Sequence, residues 1–400
     1  MTLNEADGGR AMDARFAVTS ATIFGIVAVL VFIIQPGYVQ GLVDLAGLTG
    51  QQAGYVASAE MTGYAATVIL MSFLSHRLPW RPMLAACVLV QALGNFICLW
   101  GSDAWLLGTG RFVAGLGAGG LSSLSFTAIG LTRNPDREFG FFIMWILAYG
   151  AIGLFCLPSF FAAVGLHGFH MAVLIATLAS LLLIRFMPAH GRVTMDEHAQ
   201  RLPLSRSVRW VANLSIFLFF LACGIFWAYV SLIGDVEGLG AQPVANALSL
   251  SQFTGLAGAL AAGLIGSRFG RAAPLQMSTL LCAVSTAAVV IVDARAALLF
   301  GLLVCLFNFA WNVAQPVYLA VASALDREGR LVAQMVASQS CGLAMGPFLG
   351  AFAGGEKHVL TLIVIVSLLF LCAALASLLL FIQARGLPIE ADAVSAHMVG

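Results

Sequence analysis

Twelve stretches of this chain are each long and apolar enough to cross a hydrocarbon core as a helix, and together they consume most of its 400 residues. A core about 30 Å thick needs about 20 helical residues. The first six runs lie near residues 16–40, 50–75, 82–101, 104–131, 139–163 and 168–187. Six more lie near 210–234, 245–267, 272–292, 296–324, 331–353 and 358–384. Backbone polar groups find no partners in lipid, so such runs must close their hydrogen bonds internally. The expected fold class is an all-α polytopic membrane protein. Composition agrees, since 60% hydrophobic residues, 9% charged residues and a mean hydropathy of +0.97 lie far outside the range of soluble domains.

The first run follows a short mixed-charge stretch and leads into Gln35-Pro36-Gly37 with no small-residue cleavage site, so it reads as a retained span with a local break at Pro36-Gly37. Placing the N-terminus inside puts arginines such as Arg10, Arg15, Arg133, Arg201 and Arg327 on inner segments and leaves only Arg295 and Lys357 on outer ones. That bias predicts cytoplasmic termini in a cell membrane, best matched by a bacterial inner membrane. The net charge of +1 and the lack of a basic cluster suggest no nucleic-acid partner. All eight cysteines fall inside spans without C-x-x-C spacing, and they read as small packing residues. No metal or cofactor is expected. No Ser/His or Cys/His grouping shares a depth, His167 and His170 fall on an outer turn, and an enzyme is not expected.

The chain also repeats itself. A shift of 191 residues superposes Tyr38 on Tyr229, Asp44 on Asp235, Gln51 on Gln242, Ser58 on Ser249 and Arg77 on Arg268. With drifts of one or two residues, Gly153 and Pro158 meet Gly342 and Pro347. Order and spacing persist over six spans, as in two parallel six-helix halves. The expected division is a first half at 1–187, a cytoplasmic linker at 188–209 carrying Pro188, Pro203 and four arginines, and a second half at 210–400.

Three places carry a resemblance to a known family. Residues 263–271 read GLIGSRFGR and resemble a G-x-x-x-D-R-x-G-R loop, with Ser267 in place of the Asp. The first-half counterpart, SFLSHRLPWR at 72–81, is more degraded. In span four, RFVAGLGAGG at 111–120 resembles an R-x-x-x-G-x-G motif. These loops and the helix motif, with twelve spans and a repeat, identify the chain as similar to the major facilitator superfamily of secondary transporters. The resemblance implies two six-helix halves around a central cavity lined by spans one, four, seven and ten. Arg77, Arg81, Arg268 and Arg271 would then sit on short inner turns, either as topology anchors or as contacts that hold helix ends in one conformation and release them in another. Glycines 115, 117 and 119 follow no strand, so they read as helix-packing positions and not as a dinucleotide fingerprint. Span five lacks the G-P-x-x-G-G run of the family's antiporters.

Of the 37 charged side chains, two lie well inside apolar runs: Glu60 in span two and Arg111 in span four. A charge in hydrocarbon costs roughly 2.5 to 3.5 kcal/mol even on the lenient insertion scale. At 1.5 Å per residue both are roughly 10 to 15 Å from the outer end, close enough in depth to pair. Two readings stand side by side, a proton-coupling site in which Glu60 carries the proton and Arg111 responds, or a permanent structural ion pair. A second candidate surface comes from span ten, where Asn308, Trp311, Asn312, Gln315 and Tyr318 fall on one stripe. Gln35 and Tyr38 from span one, Ser122 and Ser125 from span four, and Trp227 and Tyr229 from span seven would join it as substrate contacts. Interhelical bonding is the competing reading of the stripe, and an interfacial belt that of Trp227 and Tyr229.

These residues suit a small organic solute, best an organic or aromatic carboxylate, because Arg111 is the fixed cation and the rest are amides, hydroxyls and aromatic faces. The expected activity is proton-coupled symport by alternating access, carried out by a monomer in the lipid bilayer. The alternatives are proton-coupled efflux of drugs or metabolites and, third, a receptor that transports nothing.

Overall fold

The first apolar run does not fold as one helix. In the computed structural model, which describes residues 15–74, 79–101, 103–130, 132, 135–189, 205–266, 270–289, 296–325, 330–354 and 358–384, helix α1 (Arg15–Ala28) stops and α2 (Gln35–Ala46) begins after a non-helical segment. The sequence reading placed the break at Pro36-Gly37, whereas it lies before them, at 29–34. Pro36 instead sits in the first turn of α2, where its missing N–H costs nothing. The freed carbonyls find side chains from neighbouring helices. Gln91 donates its Nε2 to the Val27 carbonyl at 2.8 Å, and the Tyr149 hydroxyl donates to the Leu30 carbonyl at 2.6 Å.

Helices α3 (Gly50–Leu74), α4 (Trp80–Leu99) and α5 (Ala104–Gly130) follow. The fifth and sixth predicted spans form α6 (Pro135–Ala179), which bends at Gly165 (φ 64°) and ends in a 3-10 turn, Ser180–Phe186. That backbone angle suits only a residue without a Cβ. The remaining elements are α7 (Arg206–Val236), α8 (Ala241–Gly266), α9 (Ala272–Ala288), α10 (Ala297–Leu325), α11 (Arg330–Phe352) and α12 (Val359–Gln383). Six described segments are individually long and apolar enough to cross a membrane: α4, α5, α6 with its 3-10 turn, α7, α10 and α12. The described residues thus form twelve helices, with the first predicted span split in two and the fifth and sixth joined through Gly165, in keeping with the all-α membrane fold expected of the chain.

The chain divides into two compact units, residues 1–195 and 196–400. In the first, α5 is the hub, packed on α3, α4 and α1. In the second, α7 packs on α11 and α12, and α10 packs on α8 and α9. Small residues set the closest approaches. A Cβ on Gly115 of α5 would strike the Glu60 carbonyl, and one on Gly346 of α11 would strike the backbone of Gly224 in α7. Backbone contact of this kind is the usual way membrane helices gain packing energy when lipid is as apolar as their side chains.

Where α3 crosses α5, a Cβ on Gly63 would meet the Phe112 carbonyl; where α8 crosses α10, a Cβ on Gly258 would meet the Phe309 carbonyl. The two crossings therefore match Gly63 with Gly258 and Phe112 with Phe309. This register differs from the uniform shift of 191 residues read from the sequence, because the crossing is set by the glycine that admits a neighbouring backbone and not by side-chain identity along the run.

Candidate functional site

Glu60 and Arg111 meet. Arg111 donates Nε to Glu60 Oε2 at 3.2 Å and Nη2 to Glu60 Oε1, a fork that satisfies both carboxylate oxygens. The pair is 4% and 1% exposed, respectively, so neither charge is shared with solvent. Such a fork is the strong form of a charge-assisted bond. The third nitrogen, Nη1, donates to Asn95 Oδ1 at 2.7 Å, and the Asn95 amide lies 3.5 Å from the Thr177 hydroxyl. Tyr38 lies across the guanidinium, with Cζ 5.5 Å from its ring centroid, a cation–π contact in a desolvated setting.

Three features put these groups together. The Gly115 contact lets α3 and α5 touch through backbone, which brings Glu60 within reach of a residue one turn earlier on α5. Gly94 of α4 makes the same kind of approach to Ala114 and Gly110, bringing Asn95 to the other side of Arg111. Finally, α2 carries Tyr38 over the guanidinium and rests on α6 through Gly37 and Gly41, against Leu157 and Phe161. The Tyr38 hydroxyl bonds His170 Nε2 at 3.0 Å, and the Tyr38 ring stacks on Phe169 at 5.5 Å between centroids.

The sequence reading put His170 on an outer turn. It is instead 1% exposed and helical, in the limb of α6 beyond Gly165, because the chain reverses at that single glycine and not over a longer turn. Asn95 was missed altogether. Its signal was present, an amide four residues after Gln91 in an otherwise apolar run, which places both on one helix face.

The remaining predicted residues of the first unit are placed as follows. Gln35 is 1% exposed and its Nε2 has no hydrogen-bond partner. Ser122 shares a 2.7 Å bond with the Tyr64 hydroxyl, and Ser125 bonds back to the Leu121 carbonyl. Arg81 caps the end of the 3-10 turn, donating Nε to the Met187 carbonyl at 2.7 Å and Nη2 to that of Arg185 at 3.1 Å. Arg77 and Arg268 lie outside the described residues, and Arg271 occupies the N-cap position of α9.

In the second unit the α10 stripe divides in two. Asn308 and Tyr318 are buried and committed to neighbours. Asn308 donates Nδ2 to Ser251 Oγ at 3.0 Å, and Tyr318 accepts from Ser215 Oγ at 3.1 Å. Trp311, Asn312 and Gln315 are only half-buried. Asn312 donates to Asn308 Oδ1 at 2.7 Å, while the Trp311 indole N–H is buried without a partner. Trp311 sits among the rings of Phe220, Trp227 and Phe307, with centroids 6.2, 6.0 and 5.7 Å away. Trp227 is 2% exposed and Tyr229 0%, and the Tyr229 hydroxyl donates to the Pro347 carbonyl, so both belong to the interior of the unit and not to an interfacial belt.

Comparison with known proteins bears on the fold. The Major Facilitator Superfamily profile matches residues 17–347. The crystal structure of the nucleoside transporter NupG superposes with a TM-score of 0.74 at 12% identity, covering 91% of this chain and 100% of that one. A bacterial homolog of the human lysosomal transporter Spinster, in an inward-facing and unoccupied conformation, superposes with a TM-score of 0.65 at 12% identity, covering 98% of this chain and 99% of that one. No curated protein matches the chain. At such identities the structural likeness speaks for the fold alone, but the profile covers most of the sequence, and the chain belongs to the major facilitator superfamily, whose members are transporters.

Proposed function

We propose that the protein is a proton-coupled symporter of a small organic solute, best an organic or aromatic carboxylate, working by alternating access between its two halves. One observation carries this reading: the buried cation Arg111 is neutralised by a single buried carboxylate, Glu60, in a fork that uses both oxygens. Protonating Glu60 releases Arg111 from its counter-ion, and a carboxylate solute then restores neutrality. Proton and anion bind together because either alone leaves an uncompensated charge in a water-poor site, which is the costly state. Coupling in this scheme is a charge-balance requirement. Trp311, Asn312 and Gln315 supply the aromatic face and amides that orient the body of the solute, with Gln35 Nε2 and Trp311 Nε1 as donors awaiting an acceptor. Asn308, Tyr318, Trp227 and Tyr229 support these α10 residues from within their own unit, and Ser122 and Ser125 belong to the unit that holds Arg111. With the arginine-rich segments inside, both termini are cytoplasmic and flux is inward down the proton gradient, through a monomer.

The experiment has two steps. A thermal-shift screen of organic acids on the purified protein finds the solute, since a ligand at ten times its dissociation constant stabilises by about 1.4 kcal/mol. In proteoliposomes, Glu60→Gln should then abolish accumulation driven by an imposed pH gradient while solute exchange continues. Accumulation with an unchanged pH dependence would sink the coupling role, and outward flux under the same gradient would replace symport with efflux.

A further inference from the structure

At the end of the first unit opposite Arg81 lies a pocket of about 260 Å³, lined by Leu45 and Ala46 of α2, Cys98 and Leu99 of α4, Gly101, and Leu166, His167 and His170 of α6. Its polar lining side chains are Cys98, His167 and His170, of which Cys98 and His170 are each 1% exposed. Behind His170 stands Tyr38, hydrogen bonded to it at 3.0 Å and itself fully buried. Behind Tyr38 lies the guanidinium of Arg111, 5.5 Å from the ring centroid, and behind that the carboxylate of Glu60. Between pocket and ion pair stand His170 and Tyr38 on the side of α6 and α2, and Cys98, which both lines the pocket and lies against Arg111, on the side of α4. The tyrosine belongs to α2, which starts after the break at 29–34 and so can pivot without bending a continuous helix.

We propose that this pocket is the way in for protons to Glu60, with Tyr38 and His170 as its gate. The inference rests on the coupling role of Glu60 argued above. A carboxylate that exchanges protons must be reachable by water in one state, and 4% exposure makes it unreachable in this one. The polar and titratable groups around the Glu60–Arg111 pair are Asn95 and Cys98 of α4, Tyr38 of α2, and Tyr149 and His170 of α6. Of these, Cys98 and His170 reach the pocket wall. Swinging Tyr38 away with α2 breaks its bond to His170, uncovers Arg111 and joins the pocket to the ion pair in one movement. His167, which bonds the Leu99 carbonyl at 3.2 Å, keeps the α4 rim of the pocket in place while the α2 rim moves.

Cys98 reports on the gate, and Cys87, buried farther along the same helix, reports on general loosening. The full chain with its native cysteines is treated with a small charged methanethiosulfonate, and labelling at each thiol is followed by peptide mass spectrometry. In Tyr38→Ala the Cys98 rate should rise roughly tenfold or more with Cys87 unchanged, since labelling follows the population of the open form. An unchanged Cys98 rate overturns the gate. Where both thiols speed up together, Tyr38→Phe decides, because it keeps the ring and removes only the hydroxyl: Cys98 ahead of Cys87 supports the gate, and no lead overturns it. Protonation of Glu60 after a pH jump, read from the infrared carboxyl band that Glu60→Gln abolishes, should quicken in the same variants. An unchanged rate there overturns the pocket as the proton route. A band that never responds to pH removes the coupling role of Glu60 itself, a failure distinct from a failed gate.

Discussion

Asn308 lies against Gly255 in the second unit at the place where Arg111 meets Glu60 in the first. The matched crossings make this correspondence: Glu60 stands three residues before Gly63 as Gly255 stands three before Gly258, and Arg111 precedes Phe112 as Asn308 precedes Phe309. One half holds a buried ion pair across its two helices. The other holds a neutral amide over a glycine, so that a Cβ on Gly255 would press on the amides of Asn308 and Asn312. The scaffold is shared, and the charge is confined to one half.

The cost of breaking each crossing follows from that contrast. Glu60→Ala leaves Arg111 charged and uncompensated in the interior, which should cost about 3 to 5 kcal/mol. Arg111→Ala should cost less, because a buried carboxyl can discharge by taking a proton and a guanidinium cannot. Thermal melting of the detergent-solubilised variants at neutral pH checks the order. Arg111→Ala melting at or below Glu60→Ala would contradict it.

Asn308→Ala should be milder than either. It removes neutral bonds to Ser251 and Asn312, worth about 1 kcal/mol each in net terms, and strands no charge. The same melting series tests this, with a loss comparable to that of Glu60→Ala as the contrary result.

Gly115→Ala should push α3 and α5 apart at the Glu60 carbonyl and cost about 1 to 3 kcal/mol by overpacking. Gly108→Ala on the same helix meets nothing within 4 Å and should stabilise by about 0.4 to 1 kcal/mol. Opposite shifts in melting temperature are the expected readout.

Tyr149→Phe should strand the Leu30 carbonyl in the break of the first span. A buried acceptor left without its partner costs about 1 to 3 kcal/mol, and the effect should be local. Hydrogen exchange by mass spectrometry should show faster opening at residues 26–38, with peptides from the second unit unchanged.

How far the sequence could be read is clearest in the first span and in the repeat. Pro36-Gly37 signalled a break, but the break sits before it, because proline is comfortable in a first helical turn and the carbonyls freed upstream found Gln91 and Tyr149, residues distant in sequence. The repeat was visible as a shift of 191 residues and pointed to Ser251 and Leu302 as counterparts of Glu60 and Arg111. The crossings instead give Gly255 and Asn308. His170 was discounted and Asn95 passed over, although both border the ion pair.

The amino-acid sequence by itself determined that this is a helical membrane protein of the major facilitator type with two charges held in its apolar interior. Run length, charge placement and the cost of charge in hydrocarbon are properties of each segment alone, so they can be read one segment at a time. Only the tertiary structure decided that Glu60 and Arg111 grip one another, that Asn95 and Tyr38 enclose the guanidinium, and that His170 bonds the Tyr38 hydroxyl. Those relations depend on where one helix crosses another, to within a fraction of a turn. Crossing points are set by backbone contacts at glycines such as Gly115 and Gly94, whose partners lie on other helices.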